Sequence, residues 1–153
     1  MTYVKVDFKA LEDGEDVPIG YAYIRCHMIF DVKIEDFPRK VRLVAGGHMT
    51  ETLANMTYAS VVYREAFCLD LVISALDDLE VKNGDVMNAY ITTPIEENVW
   101  TTLGPEVGRD AGNRALIFRV LYGLKSAGAD FRAHLGRCMQ IIGYEPCLYD
   151  PDF

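Results

Sequence analysis

The residue whose type and position most directly suggest chemistry is Asp85, in the stretch Gly84 to Ile91, GDVMNAYI. An Asn-Gly turn signal precedes this carboxylate, and apolar and aromatic residues with strand character follow it. A carboxylate at the start of a strand can face solvent or a metal ion while its neighbours anchor the strand in the core. The same placement is also ordinary turn chemistry, because Asp side chains commonly bond the backbone beside a turn.

Two basic residues and an aromatic turn give further candidates. Lys40 and Arg42 lie two residues apart in a segment with strand character, so both are expected on one face. The fork of a guanidinium matches phosphate oxygens. A solvated strand face is the alternative, and a slip of one residue in register would exchange the faces. Downstream, Tyr122 and Gly123 interrupt another strand-like run, and Lys125 follows them.

Three blocks of sequence, taken in order, resemble the reverse transcriptase of copia-type long-terminal-repeat retrotransposons. They are PRKVRLVAGGH at residues 38–48, GDVMNAYI at residues 84–91 and VLYGLKSAG at residues 120–128. In that family the blocks typically read Lys-Ala-Arg-Leu-Val-Ala, Asp-Val-x-x-Ala-Phe/Tyr-Leu and Leu-Tyr-Gly-Leu-Lys-Gln-Ala-Pro. The resemblance covers residues 20–152, nearly the whole chain.

The resemblance implies an RNA-directed DNA polymerase that uses two magnesium ions. Nucleotidyl transfer builds negative charge on the phosphate and the attacking oxygen, and two Mg²⁺ ions held by oxygen ligands stabilise it. Asp85 matches the family's first metal-binding carboxylate, and the carbonyl of Val86 would be a neighbouring ligand. Tyr90 matches the aromatic residue that crowds the sugar 2′ position and excludes ribonucleotides. Without the resemblance, Tyr90 would be interpreted as an ordinary core tyrosine.

The remaining matched residues are assigned to the nucleotide and the nucleic acid. Lys40 and Arg42 resemble the fingers residues that clamp the incoming triphosphate. Tyr122 and Gly123 match the turn that lines the nucleotide and template side of the pocket. The implied partners are an RNA or DNA template with its primer and a deoxynucleoside triphosphate. The predicted nucleic-acid contacts are Lys125 and Arg132.

The sequence departs from the family pattern at two places. Ser126 and Gly128 stand where Gln and Pro are usual, which alters the start of the next helix without removing a catalytic group. The family's Tyr-Val-Asp-Asp motif, with the remaining catalytic carboxylates, is not among these residues and is expected shortly beyond Phe153. We therefore expect a fingers and partial-palm portion, inactive alone, that self-associates through an unpaired palm edge. The alternative is a non-catalytic remnant or a domesticated binding or structural module.

Composition and charge limit both hypotheses. Half of the 153 residues are hydrophobic, which is enough for one core. The net charge of −8 is unusual for a nucleic-acid-binding domain, but residues 109–140 hold six basic and two acidic residues and can attract a polyanion locally. The absence of a long apolar run or a signal peptide predicts an intracellular protein. The resemblance implies a location in a cytoplasmic particle, the nucleus or both. The four cysteines have no metal-ligand spacing and are expected to be reduced.

Hydrophobic periodicity predicts an α+β fold with helices on one face of the strands. The resemblance implies that the strands form an antiparallel fingers hairpin and a partial palm sheet. Residues 1–20 are interpreted as an irregular lead-in and residues 21–153 as one domain. The predicted helices are one capped by Ser60, packed on the sheet and running to Asp78, and one from Ser126 to Ile142, ended by Gly143. The predicted strands are Tyr21 to Lys33, Arg39 to Ala45, Asp85 to Tyr90, Val99 to Leu103 and Ala115 to Leu121, with a turn at residues 92–98 and a loop at residues 104–113.

Overall fold

A computed structural model describes residues 7–12, 14–32, 39–47, 57, 59 and 61–146, without the side chains of residues 39 and 40. The strands are β1 (Phe8–Ala10), β2 (Ala22–Tyr23), β3 (Cys26–Val32), β4 (Arg39–Ala45), β5 (Pro94–Thr102) and β6 (Arg114–Arg119). The helices are α1 (Arg64–Leu76), α2 (Ala89–Thr92) and α3 (Ala127–Ile141), with a 3-10 stretch at Pro105–Asp110. This mixture confirms the α+β class. Within the described ranges, no helix is both long enough and apolar enough to cross a membrane.

The larger sheet has four strands in the order β1-β6-β5-β2. Strand β6 pairs antiparallel with β1 and β5, and β2 pairs parallel with β5. Three consecutive residues of β6, Ala115, Leu116 and Ile117, are buried, so both faces of this strand are covered. The lead-in predicted to be irregular contains β1, because Phe8 and Ala10 pair with Ile117 and Ala115. The sequence of residues 8–10 does not by itself indicate a strand, and β1 forms because it pairs with β6.

The second sheet is the hairpin of β3 and β4, as predicted. Its register pairs Ile29 with Arg42 and Asp31 with Lys40. The first strand of the hairpin begins at Cys26 and not at Tyr21 as predicted. Ile24 is completely buried, and its amide donates a hydrogen bond to the carbonyl of Trp100 at 2.8 Å. That bond assigns residues 22–24 to the larger sheet and leaves the hairpin to begin at Cys26.

The prediction of a strand from Asp85 to Tyr90 is wrong. Residues 81–86 are irregular and exposed, a turn occupies residues 87 and 88, and α2 follows. Asn88 adopts a left-handed conformation, φ 57° and ψ 38°, which ends any extended run, and Asn tolerates it better than most residues. Strand-forming residues at this position have no neighbouring strand to pair with in the described part of the chain, so propensity alone does not produce a strand.

The neighbouring prediction of a turn at residues 92–98 is also wrong, because β5 already begins at Pro94. Exposed and covered residues alternate along this strand, with Ile95, Glu97 and Val99 on the covered side. A register shift between Pro94 and Val99 accommodates the polar segment against β6. The predicted strand from Ala115 is confirmed as β6, and the predicted loop at residues 104–113 contains the exposed 3-10 stretch.

Helix α1 exists but does not pack on either sheet. It begins at Arg64 after an N-cap at Tyr63, later than the predicted cap Ser60, which lies outside the described residues. Ser74 is its only buried residue, and the helix makes no extensive contact with another described element. The apolar periodicity correctly indicates a helix, but the prediction that this helix is core scaffolding is wrong.

Helix α3 has the predicted limits. Ser126 is its N-cap and Gly143 follows its end at φ 94°, the left-handed conformation that glycine adopts most easily. Only the first turns pack on the core, where Ala127 and Asp130 are buried. Apolar residues recur along this helix at three- and four-residue steps, but those beyond Phe131 are all exposed: Leu135, Cys138, Met139 and Ile142.

Candidate functional site

The turn after β6 is fastened to the hairpin by backbone contacts. The amide of Ala45 donates a hydrogen bond to the carbonyl of Tyr122 at 2.7 Å, and Val44 forms a parallel bridge with Tyr122. Gly123 has φ 91°, and a side chain there would overlap the carbonyl oxygen of Ala45. A side chain at Gly47 would likewise overlap the carbonyl oxygen of Gly123. Glycine at both positions is therefore what lets the two backbones approach.

This docking brings Arg42 of β4 to the face of the Tyr122 ring. The guanidinium carbon lies 5.7 Å from the ring centroid, within the range of a cation–π interaction. Arg42 is half-buried, and its Nε atom is buried with no hydrogen-bond partner among the described residues. A buried N–H donor without an acceptor is uncommon in proteins and requires an explanation.

Tyr90 joins the same group from α2. Its ring meets Tyr122 edge-on with centroids 5.0 Å apart, and Phe131 of α3 at 6.0 Å. The hydroxyls of Thr92 and Thr93 both donate to the carbonyl of Ala89, at 2.8 and 2.9 Å, and so hold the short helix that carries Tyr90. We call Arg42, Tyr90, Tyr122 and Phe131 the aromatic cluster. Edge-to-face ring pairs of this kind are typical of well-packed aromatic groups.

Asp85 and its neighbour Val86 precede the aromatic cluster in the irregular segment, and both are exposed. The accessibility expected of a metal-binding carboxylate is therefore present at Asp85. Its proximity to Tyr90 and to the Tyr122 turn stays a prediction. Lys40 belongs to β4, two positions from Arg42, but its side chain lies outside the described residues. Lys125 is exposed beside the turn, and Arg132 is half-buried on α3.

The donor set of a magnesium site is incomplete in the described ranges. Asp85 offers one carboxylate, and the described residues contain no group of three or more His, Cys, Asp or Glu side chains close enough to hold a metal ion. Two Mg²⁺ ions need several hard oxygen ligands. The residues present therefore do not by themselves fit a two-metal site, and further carboxylates must join Asp85 for one to form.

The basic stretch of residues 109–140 is partly offset by acidic partners. Arg114 lies 3.6 Å from Asp16, Arg119 lies 3.6 Å from Asp7, and Arg137 lies 3.8 Å from Glu96. The guanidinium of Arg119 also donates to the carbonyl of Thr92 at 3.1 Å. Tertiary contacts thus give Arg114 and Arg119 a structural role that a count of charges along the chain could not reveal.

Sequence reasoning missed a buried acidic residue at the base of α3. Ser126 is fully buried and Asp130 is 5% exposed, and the Ser126 hydroxyl donates to Oδ2 of Asp130 at 3.1 Å. Burial raises the pKa of Asp130, and the nearby Glu96 and Glu97 raise it further, while the bond from Ser126 opposes them. The signal in the sequence was the four-residue spacing of Ser126 and Asp130, one turn of a helix.

Comparison with known proteins gives no family assignment. No protein-family model matches the chain, and neither a curated protein nor a solved structure matches it. The site must therefore be interpreted from its own residues.

Proposed function

We propose that this chain forms the fingers and part of the palm of a copia-type reverse transcriptase, an RNA-directed DNA polymerase. The observation that best supports the proposal is the contact of Arg42, Tyr90 and Tyr122. Each comes from a different one of the three sequence blocks that resemble the family, and the blocks are tens of residues apart. Unrelated sequence matches would have no reason to meet in one cluster.

Arg42 is the residue proposed to bind the triphosphate of the incoming nucleotide. Its guanidinium carries donors in a planar fork that matches phosphate oxygens, and the Nε donor has no acceptor among the described residues. The face of Tyr122 positions the guanidinium 5.7 Å from the ring centroid. Because Nε is buried, the side chain would have to move for a bound phosphate to supply the missing acceptor.

Tyr90 is the residue proposed to select deoxyribonucleotides. Its ring is wedged against Tyr122 and Phe131, so moving it aside would break two ring contacts. A ring held in this way can exclude a 2′ hydroxyl by volume. Tyr122 and Gly123 line the template side of the same pocket, and Lys125 and Arg132 meet the nucleic acid backbone.

Asp85 is proposed to contribute one carboxylate to the metal site. The other carboxylates belong to the Tyr-Val-Asp-Asp motif, which these 153 residues do not contain. We expect residues 1–153 alone to bind primer-template weakly and to extend no primer, because charge developing in the transition state then lacks its second cation.

Primer extension tests the proposal. The protein is prepared as residues 1–153 and as the same chain followed by the Tyr-Val-Asp-Asp segment of a copia-type polymerase, and both are assayed with primer-template, deoxynucleotides and Mg²⁺. We expect extension only by the longer chain, and its loss in Asp85→Asn. The matched control is Asp78→Asn, an exposed carboxylate in a left-handed conformation that Asn also accepts. Extension by residues 1–153, or a longer chain indifferent to Asp85→Asn, would overturn the proposal.

A further inference from the structure

Helix α1 presents a stripe of apolar side chains to solvent. Leu69, Val72, Ile73 and Leu76 follow one another at three- and four-residue steps and are 60%, 55%, 44% and 79% exposed. We call these four residues the α1 stripe. This spacing is that of a helix face buried against another element, yet α1 makes no extensive contact with the other described elements. An uncovered stripe of this kind marks an interaction surface.

The ends of the α1 stripe are acidic. Glu65 precedes it by one helical turn, and Asp77, Asp78 and Glu80 follow it directly. All four are exposed. Arg64 and Lys82 lie 3.2 Å from Glu65 and Glu80, so the excess of negative charge rests on Asp77 and Asp78. A surface that receives the α1 stripe should therefore combine apolar side chains with basic ones.

Such a surface lies on α3 of the same chain. A groove of about 520 Å³ is lined by the apolar residues Leu135, Met139 and Tyr144, by Arg132 and Arg137, and by one acidic residue, Glu145. Gly136 also lines the groove, and no heavy atom lies within 4 Å of the position that a Cβ would take there. Arg137 also lies 3.8 Å from Glu96, but both side chains are more than half exposed, so this pair can be exchanged at little cost. We call this surface the α3 groove.

We propose that the α1 stripe of one copy docks into the α3 groove of a second copy of this chain. The apolar stripe would cover Leu135, Met139 and Tyr144, while the acidic ends of α1 approach the arginines of the groove. Amphipathic helices bind grooves in this way, with apolar anchors one turn apart. Opposite charges at the rim set the orientation and favour encounter.

The contact joins two different surfaces, so after two copies pair, one copy keeps an unoccupied α3 groove and the other keeps an unoccupied α1 stripe. Such a head-to-tail contact does not close a dimer by itself and leads to larger assemblies as concentration rises. One helix in one groove buries less area than a stable interface, so the association is expected to be weak and concentration-dependent. The proposal does not depend on polymerase activity, and it uses a surface other than a sheet edge.

Light scattering of size-fractionated protein over a range of concentrations provides the first test. We expect the average mass of the unmodified chain to rise above that of a monomer. Leu76→Glu and Met139→Glu, one on each surface, should each lower the association constant about tenfold or more. Ile19→Glu is the matched control, since Ile19 is fully exposed and lies outside both surfaces. Circular dichroism verifies that the variants fold. A monomeric mass at every concentration, or equal effects of all three substitutions, would overturn the proposal.

A cysteine cross-link between two different chains provides the second test. Cys68 is exposed on α1 beside the stripe, and Gln140 lines the α3 groove. One chain keeps Cys68 as its only cysteine, and the other has all four native cysteines replaced by Ser and carries Gln140→Cys. Mild oxidation of the mixture should join the two chains by a disulfide.

The cross-link that forms shows whether the contact joins two copies or two parts of one chain. A heterodimer in the mixture, reduced about tenfold by Leu76→Glu in the Cys68 chain, supports the proposal. A single chain that carries both Cys68 and Gln140→Cys tests the alternative, in which α1 covers the α3 groove of its own chain. If it oxidises only to an internal loop at monomer mass, α1 covers its own α3 groove and the proposal is wrong. Failure of the mixture to give the heterodimer refutes it as well.

Discussion

The amide of Ala45 donates a 2.7 Å hydrogen bond to the carbonyl of Tyr122 and so joins the end of the hairpin to the turn that follows β6. The place of Arg42 in the aromatic cluster depends on this docking, because Arg42 lies on β4, three residues before Ala45. The bond and the close approach of Gly47 and Gly123 hold the backbones together beside the contact of Arg42 with the Tyr122 ring. The candidate nucleotide site is thus formed by the docking of two sheets.

Gly123→Ala should therefore destabilise the protein more than an ordinary glycine substitution. Alanine in a left-handed conformation costs about 1–2 kcal/mol, and at Gly123 it would also collide with the carbonyl of Ala45. Gly112→Ala is the matched control, because Gly112 has φ 87° but no heavy atom within 4 Å of the position that an alanine Cβ would take. Urea unfolding measures both. Equal losses of free energy of unfolding in the two variants would mean that the glycine contact contributes nothing.

Arg42→Lys should weaken binding of a deoxynucleoside triphosphate. Lysine keeps the charge but loses the planar fork, and a charged hydrogen bond is worth about 1.5–3 kcal/mol, which is about a tenfold to hundredfold change in Kd. Fluorescence titration with a labelled nucleotide measures the change. Arg109→Lys, in the exposed 3-10 stretch, serves as the control. Unchanged affinity in Arg42→Lys would remove Arg42 from the site.

Tyr90→Ala should relax the selection of sugars in the polymerase that carries the Tyr-Val-Asp-Asp segment. Removal of the ring opens the space that a 2′ hydroxyl would fill, so ribonucleotide incorporation should rise relative to deoxynucleotide incorporation. Tyr90→Phe retains the ring contacts with Tyr122 and Phe131 and should remain selective. The ratio of kcat/KM for the two nucleotides reports the effect. If both variants discriminate like the parent, Tyr90 is only a packing residue.

Asp130→Asn should alter how stability depends on pH. The folded state raises the pKa of Asp130 above its ordinary value of 3.8, so the folded protein holds this proton more tightly than the unfolded chain. Its contribution to the free energy of unfolding is therefore greatest below the unfolded pKa and is lost as pH rises through the folded pKa. Asparagine cannot ionise, so the variant should lack that decline.

The measurement is the difference in unfolding free energy between parent and Asp130→Asn at a series of pH values from about 3 to 7, a window set by the ordinary carboxyl pKa of 3.8 and its upward shift. Subtracting the two unfolding free energies removes the contributions of the other titrating groups, because both proteins contain them. Glu15 is one of them, since bonds from the Glu12 backbone and Lys9 lower its pKa. Asp77→Asn, an exposed residue at the end of α1, is the control. A parent and variant that stay parallel across the range would contradict a raised pKa at Asp130.

The sequence by itself determined the elements whose signals are local. The hairpin of β3 and β4, strand β6 and helix α3 with Ser126 before it and Gly143 after it all follow from periodicity and from residues with strong turn or cap preferences. The three blocks that resemble a reverse transcriptase were also visible without coordinates.

Only the tertiary structure decided which segments find partners. Strand β1 exists because β6 lies beside it, whereas the Asp85 segment has strand-forming residues but no partner strand among the described residues and stays irregular. Helix α1 has the pattern of a core helix and is exposed. The contact of Arg42 with Tyr122 and the burial of Asp130 likewise join residues from separate elements. Hydrogen-bond pairing and burial depend on distant residues, so they are not contained in local sequence patterns.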